Sequence, residues 1–370
     1  MSQSLAGLHV LVVSPFAAHS GRGNAVTAAR TARRLAGAGA SSEVVHADEP
    51  GALAAALTRA WPDVILGIHA GHFARTLEAA GVHLDTSGVH FAGARREVPA
   101  IVLGLGGNEL YEDLGVPPAE GVPGHLSPGS WELFERADAV LAASDYQLQL
   151  ATERRGSGVF LVPRYPEVGF GPIEGLAERL TTLPPGPTLV WSGALRPQKR
   201  PEWLAPILRR VAESHPTVRL LLAGPLPTDG PGKALDDELC ALPGVLRVPP
   251  FHAGPGGSIG TLLAHADIAW NTSRTEGTSN FLLEAIHAGV PVVAADCAGT
   301  QSWATGHAVL YHTIEEGAAA LRAWIEDPTR AAASALRARE WQNAWASPER
   351  ETQALSEAVL AGRARAARRA

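Results

Sequence analysis

Asp267-Ile-Ala-Trp-Asn271-Thr-Ser273-Arg-Thr-Glu276-Gly-Thr-Ser-Asn280-Phe-Leu-Leu-Glu284-Ala-Ile-His-Ala-Gly289-Val-Pro291-Val-Val-Ala-Ala295 is the stretch that decides the fold. Asp267–Asn271 and Pro291–Ala295 read as short buried strands, and Phe281–Ala288 reads as the helix between them. Strand, helix and strand in this order form one unit of a doubly wound parallel sheet. The same stretch carries chemistry. Glu276 and Glu284 stand eight residues apart, with Gly277, Thr278, Ser279 and Asn280 between them. A helix starting near Thr278 offers free N–H groups and a positive dipole end, which suit a phosphate or diphosphate. Glu284 then lies roughly 10 Å further along the axis. Two carboxylates flanking an anion site match the hydroxyls of a sugar and a ribose on either side of a diphosphate.

A structural explanation competes for Glu276. Ser273 and Glu276 fit an S-x-x-E capping box. That placement puts Gly277 in the first helical turn, at a cost of about 1 kcal/mol. Glu284 has Phe281 three residues before it, so it closes no capping box. Within Leu282, Leu283, Ala285 and Ile286 it needs a polar partner.

Working outward, the alternation of strand and helix recurs twice. Strands are expected at His9–Val13, Ser42–His46, Val64–Ile68, Ile101–Leu105, Ala139–Ala143 and Val159–Val162, with a helix at Ala25–Ala38. A Pro-rich break follows, with a short helix at Leu176–Leu180. The pattern restarts with strands at Thr188–Ser192, Val218–Ala223 and Val245–Val248, and helices at Pro201–Ser214 and Thr261–Ala266. The expected organisation is an N-terminal Rossmann-like domain at 1–165, a linker at 166–187, a C-terminal Rossmann-like domain at 188–340, and a C-terminal helix at 341–370 packing back on the first domain. The expected class is α/β, with two doubly wound domains facing across a cleft at their strand C-termini.

Composition narrows the function. Charged residues are 18% and hydrophobic ones 46%, as in ordinary soluble domains. A net charge of −6 argues against a nucleic-acid binder. Two cysteines without a CxxC spacing fit a reducing, cytoplasmic setting. No apolar run approaches a membrane span, and the first ten residues lack the pattern of a signal peptide.

Further segments bear on the site. Gly21-Arg22-Gly23-Asn24-Ala-Val26 follows the first strand and nearly matches G-x-G-x-x-G, with Val26 in place of the third glycine. Asp48 and Glu49 follow the second strand, where a dinucleotide fingerprint has its acid, so a nicotinamide-dependent oxidoreductase is a rival reading. Gly193-Ala-Leu-Arg196-Pro-Gln-Lys199 leaves the first strand of the second domain and brings two cations suited to a diphosphate. Gly104-Leu-Gly106-Gly107-Asn108-Glu109 ends the fourth strand with glycines and polar groups that suit a substrate, or with a helix cap by Asn108. His69-Ala-Gly-His72 lacks a third ligand, so it reads as a polar wall rather than a metal site. Gly256-Gly-Ser258-Ile-Gly260 matches a nucleophile elbow without the strand that must precede it. Asn271-Thr-Ser273 matches a glycosylation acceptor by chance.

Glu276-x7-Glu284, Gly193-x5-Lys199 and the glycine loop after the first strand together resemble the retaining GT-B glycosyltransferases of family 4 over nearly the whole chain. The resemblance implies that Lys199 contacts the donor diphosphate, Glu284 the ribose, and Glu276 the donor sugar, with Gly277–Asn280 amides facing sugar and phosphates. It implies no metal and no resident cofactor; the nucleotide-sugar, a UDP-sugar by preference, is a substrate. Two features depart from the family. Ala194 stands where an arginine is usual, with Arg196 two residues later, and Gly106 aligns with a histidine of the acceptor region. Gly23-Asn-x-Val-Thr27, Gly107-Asn-Glu-Leu-Tyr-x-Asp-Leu114, Leu195-Arg-Pro-x-Lys-x-Pro201 and Glu276-Gly-x-x-Asn280 resemble the selenosugar synthase branch, whose members join a UDP-N-acetylhexosamine to selenium from selenophosphate.

The expectation is therefore a hexosyltransferase with Glu276, Lys199 and Arg196 at the reacting centre. Glu284, Gly277, Thr278, Ser279, Asn280, Gly193 and Gly23 would hold the donor. Asn24, His69, Asn108 and Glu109 would serve a small acceptor. A catalytically silent nucleotide-sugar binder and an epimerase of the same fold compete with this expectation.

Overall fold

The computed structural model describes residues 4–17, 23–85, 88–91, 98–106, 128–251 and 257–369. The chain divides into two compact units, Met1–Tyr165 with Ala346–Ala370, and Pro166–Trp345.

The first unit is built on a six-stranded sheet. Its strands are β1 (His9–Ser14), β2 (Ser41–His46), β3 (Val64–Ile68), β6 (Ala100–Gly104), β7 (Ala139–Ala142) and β8 (Val159–Leu161). They run parallel in the order β2-β1-β3-β6-β7-β8, and Val10 stands opposite Val64 where β1 meets β3. A separate antiparallel pair, β4 (Val82–Asp85) and β5 (Gly88–Phe91), lies between β3 and β6 in sequence. Parallel strands covered on both faces must be apolar throughout. Accordingly, Leu11 and Val13 join Phe73 and Leu77 in one core layer, while Val10 and Val12 join Leu35 and Leu355 in the other.

The second sheet comprises β9 (Thr188–Ser192), β10 (Arg219–Ala223), β11 (Val245–Arg247), β12 (Ile268–Asn271), β13 (Val292–Ala295) and β14 (Val309–Tyr311). It is also parallel, in the order β11-β10-β9-β12-β13-β14. Each sheet therefore has one point where the winding reverses: β1/β3 in the first and β9/β12 in the second. The crevice outside the strand C-termini at such a point is where ligands bind in this architecture.

The structure differs from the sequence expectation in a few places. It adds the pair β4–β5, the strand β14 and the helix Gly230–Cys240. The start of that helix is written Gly230-Pro-Gly, which reads as a turn, although Pro is well placed at a first helical turn. The helix expected from Pro201 opens as a 3₁₀ turn, Pro201–Trp203, and becomes α-helical over Leu204–Ala212. Residues 166–187 are part of the second unit rather than a free linker. Ile173 and Leu176 are buried with Val190 and Leu221, and Gly260 donates to the Gly169 carbonyl at 2.8 Å. The helix Pro328–Trp345 also belongs to the second unit, where Gln342 donates to the Leu283 carbonyl at 2.9 Å. The helix Pro348–Ala366 belongs to the first, with Ser347 capping it through the Arg350 N–H.

Candidate active site

The β9/β12 switch point gathers the polar residues of the second unit. β12 ends in Asn271, and the chain turns through Thr272 and Ser273 to Glu276, all of them buried. Lys199, from the loop after β9, places Nζ 2.5 Å from Glu276 Oε1. Ser273 Oγ donates to the same oxygen at 2.7 Å and Asn271 Nδ2 at 3.2 Å. Three donors thus converge on one carboxylate oxygen.

The two loops are joined by their backbones as well. Thr272 Oγ1 donates to the Lys199 carbonyl at 2.6 Å and receives the Trp191 indole N–H at 3.1 Å. The Arg274 N–H donates to the Gln198 carbonyl at 2.9 Å. These bonds fix the Lys199 backbone relative to β12, so the ion pair is preorganised. Burial works to raise the Glu276 pKa, but the Lys199 charge and the three hydrogen bonds outweigh it. Glu276 is held below the usual carboxylate range and is ionised at neutral pH.

This geometry removes the capping-box explanation of Ser273 and Glu276. They do meet, but side chain to side chain, and no helix starts there. The helix runs Asn280–His287 with Ser279 at its N-cap, two residues later than a start at Thr278. Gly277, Thr278 and Ser279 are buried between Glu276 and that helix start. Glu284 sits in the second turn, 7% exposed, among Leu282, Leu283 and Ile286.

Gly193 continues β9, its N–H bonding to the Ala223 carbonyl at 3.0 Å. Gly224 presses against it: a Cβ there would lie 2.1 Å from the Gly193 oxygen. Arg196 caps the 3₁₀ turn Pro197–Lys199 and remains exposed. The structure thus brings Lys199 and Glu276 together and leaves the Arg196 side chain at the surface.

In the first unit, Gly23 opens the helix Gly23–Gly37, and Thr27 Oγ1 bonds to its carbonyl at 2.9 Å. Asn24 is half-buried on the same turn. Asn108 and Glu109 lie outside the described residues, as do Gly21, Arg22 and Gly107. Asp48 is committed locally, its Oδ2 accepting the Ala17 N–H at 2.9 Å. His69 follows β3 at the β1/β3 switch point. Its ring meets His72 edge-on at 5.0 Å, and His72 meets Phe16 at 5.0 Å. His69 and Arg200 are the non-glycine residues with positive φ among those described, at 75° and 45°. A left-handed backbone costs a side-chain-bearing residue roughly 1–2 kcal/mol. Such strain concentrates where surrounding structure enforces it, often at functional sites.

Two other sequence matches are structural. Ser258 is buried and donates to the Pro172 carbonyl at 2.9 Å, so its hydroxyl anchors a loop. Asn271-Thr-Ser273, a chance glycosylation match, supplies the cradle of Glu276; a polar run at the end of a buried strand is the signal that marks it. Among the described residues no three His, Cys, Asp or Glu side chains are grouped to hold a metal. No helix there is long and apolar enough to cross a membrane.

Comparison with known proteins agrees with this layout. Residues 186–327, which span β9 to β14, match the family model described as glycosyl transferases group 1. A search of curated proteins gave no significant match. Among solved structures, sucrose-phosphate synthase from Thermosynechococcus elongatus is similar with a TM-score of 0.69 at 15% identity, over 93% of this chain and 96% of that one. Anabaena HepE in complex with UDP-glucose gives 0.67 at 18%, over 95% and 98%. TarM from S. aureus, in complex with fondaparinux, α-GlcNAc-glycerol and UDP, gives 0.61 at 14%, over 83% and 58%. At these identities the likeness carries the fold, and the matched family model carries the class of enzyme. The chain is a glycosyltransferase with the paired Rossmann-like sheets of the GT-B fold.

Proposed function

We propose that the chain is a retaining, family 4-type hexosyltransferase that takes a hexose or N-acetylhexosamine from a UDP-sugar. The Lys199–Glu276 pair at the β9/β12 switch point carries this reading. A cation and a carboxylate held there, beside the start of the helix Asn280–His287, suit the charge and hydroxyls of a nucleotide diphosphate sugar. The structures of HepE with UDP-glucose and of TarM with UDP support the choice of donor.

In this reading the bond from the anomeric carbon to the β-phosphate oxygen breaks, and its electron pair leaves with the diphosphate. Lys199, Arg196 and the amides of Gly277–Asn280 stabilise that charge, an electrostatic role. Glu276 orients a sugar hydroxyl. Bound by three donors, it is a weak base and a poor nucleophile, which suits a positioning carboxylate. Glu284 takes the ribose. The acceptor bonds to the anomeric carbon on the face the diphosphate leaves, and its proton departs with the leaving group or to solvent. Asn24, His69, Asn108 and Glu109 of the first unit are assigned to the acceptor, with selenophosphate as the specific candidate by resemblance to the selenosugar synthase branch.

A thermal-shift panel of nucleotide-sugars, with and without selenophosphate, tests the reading. A UDP-sugar should stabilise the protein, and product mass should identify the acceptor. Stabilisation by a nicotinamide dinucleotide with none by UDP would instead favour an oxidoreductase. UDP binding without donor consumption, whatever acceptor is offered, would make the chain a silent binder. Glu284→Ala should cripple donor binding, and an unchanged calorimetric titration would remove the ribose assignment.

A further inference from the structure

Arg200 is unlike any other described cation at the switch point. Its backbone is left-handed, with φ 45° and ψ 51°, directly after Lys199. Its guanidinium lies 4.1 Å from the Trp203 ring centroid. It is half-buried, and no described carboxylate accepts a hydrogen bond from it. The two nearby acids are engaged elsewhere: Glu276 pairs with Lys199, and Glu202 with Arg274.

The position therefore carries strain together with a positive charge that no described carboxylate pairs directly, Glu202 acting on it only from a distance. Burial lowers the Arg200 pKa, and the like charge of Arg274 lowers it further. Trp203 offers the cation a ring face, which orients the guanidinium without neutralising it. Glycine would relieve the backbone strain, as it does at Gly224 and Gly289. A left-handed arginine beside an ion-paired lysine is a costly arrangement that a bound anion would offset.

We propose that Arg200 is a binding residue for the donor, adding a third cation to Lys199 and Arg196 around the diphosphate. This rests on the donor reading of the same switch point, and it commits Arg200 to the phosphates rather than to the sugar or base. Trp203 holds the planar guanidinium, which suits two phosphate oxygens at once.

Calorimetric titration of the whole chain with inorganic pyrophosphate and with UDP tests this, using wild type, Arg200→Asn and Arg200→Lys. Asparagine tolerates the left-handed backbone, so Arg200→Asn removes the charge without adding strain. It should weaken both ligands about tenfold or more, the worth of one hydrogen bond to a charged group, with a thermal midpoint at or above wild type. Arg200→Lys keeps the charge and should bind more tightly than Arg200→Asn. If Arg200→Asn binds pyrophosphate as tightly as wild type, the proposal is overturned; a lowered midpoint in that case makes Arg200 a structural plug over Trp203. Wild type that binds pyrophosphate but not UDP overturns the donor reading and leaves the Arg200 arms to be read with pyrophosphate. Wild type that binds neither overturns both.

Discussion

At the scale of single residues, the site depends on the balance at Glu276. Burial alone would favour the neutral acid, and Lys199 reverses that preference. A carboxylate whose folded pKa is depressed keeps its ionic contribution above its ordinary pKa and loses it as pH falls through the lowered value. Wild type should therefore hold an ionised Glu276 through mildly acidic pH. In Lys199→Ala the largest lowering influence is gone and burial is opposed only by Ser273 and Asn271, so Glu276 should titrate higher than in wild type. Carbon-13 NMR of the labelled carboxyl reads this directly; an unchanged titration would mean that Lys199 does not set the charge of the site. Donor turnover should fall about 100-fold in the same variant, the scale seen when one stabilising donor is removed. The two glutamates and Lys199 are legible in the sequence because their spacing is local. The pairing of Lys199 with Glu276 is not, because it appears only when β9 and β12 lie side by side.

At the scale of elements, the strands that carry the site are readable because buried parallel strands are continuously apolar. The pair β4–β5, which lies outside both six-stranded sheets, and the three-residue β14 leave too short a signal. What pins the β10 end is equally hidden. Arg247 donates to the carbonyls of Leu222 at 2.8 Å, Gly224 at 3.1 Å and Pro225 at 2.9 Å, and it pairs with buried Asp236 at 3.0 Å. The loop it holds is the one pressed against Gly193. Arg247→Met should cost about 3–5 kcal/mol, because it strands a buried carboxylate and removes the donor to the Gly224 and Pro225 carbonyls, while Leu222 keeps the Val248 N–H. Urea unfolding checks this, and a loss under about 1 kcal/mol, the scale of an exposed pair, would show the pair to be idle. Gly224→Ala places a Cβ 2.1 Å from the Gly193 oxygen and forces a side chain onto φ 128°. It should displace the Gly193–Lys199 loop and weaken UDP binding more than it lowers the thermal midpoint. Titration and melting of the same sample compare the two effects.

At the scale of the whole molecule, a division near residue 165 is visible from the Pro-rich break, and the return of the last helix to the first unit, expected from resemblance, is made by contacts that no local pattern specifies. The helix Pro348–Ala366 lays Leu355, Ala358 and Val359 into the layer that holds Val102 and Ala139. Glu351 anchors it. Its carboxylate, 2% exposed, takes Arg30 Nε at 2.9 Å, Arg34 Nε at 3.1 Å and the Tyr165 N–H at 3.4 Å. Arg30 is itself 2% exposed, so neither charge has water to fall back on. Removing one partner from such a pair costs about 3–5 kcal/mol, whereas replacing both by apolar groups is often neutral. Glu351→Ala should therefore destabilise the first unit strongly, with faster hydrogen exchange in β6 and β7 and unchanged protection in β9 and β12. Arg30→Met with Glu351→Leu should recover much of the loss, because no unpaired charge is then left buried at Arg30. If the double variant is no better than Glu351→Ala, the helix is held by contacts other than this ion pair, and Arg34 and Tyr165 become the anchors to test. If exchange rises equally in β12, the two units unfold together, and the C-terminal helix stabilises the second unit as well as the first.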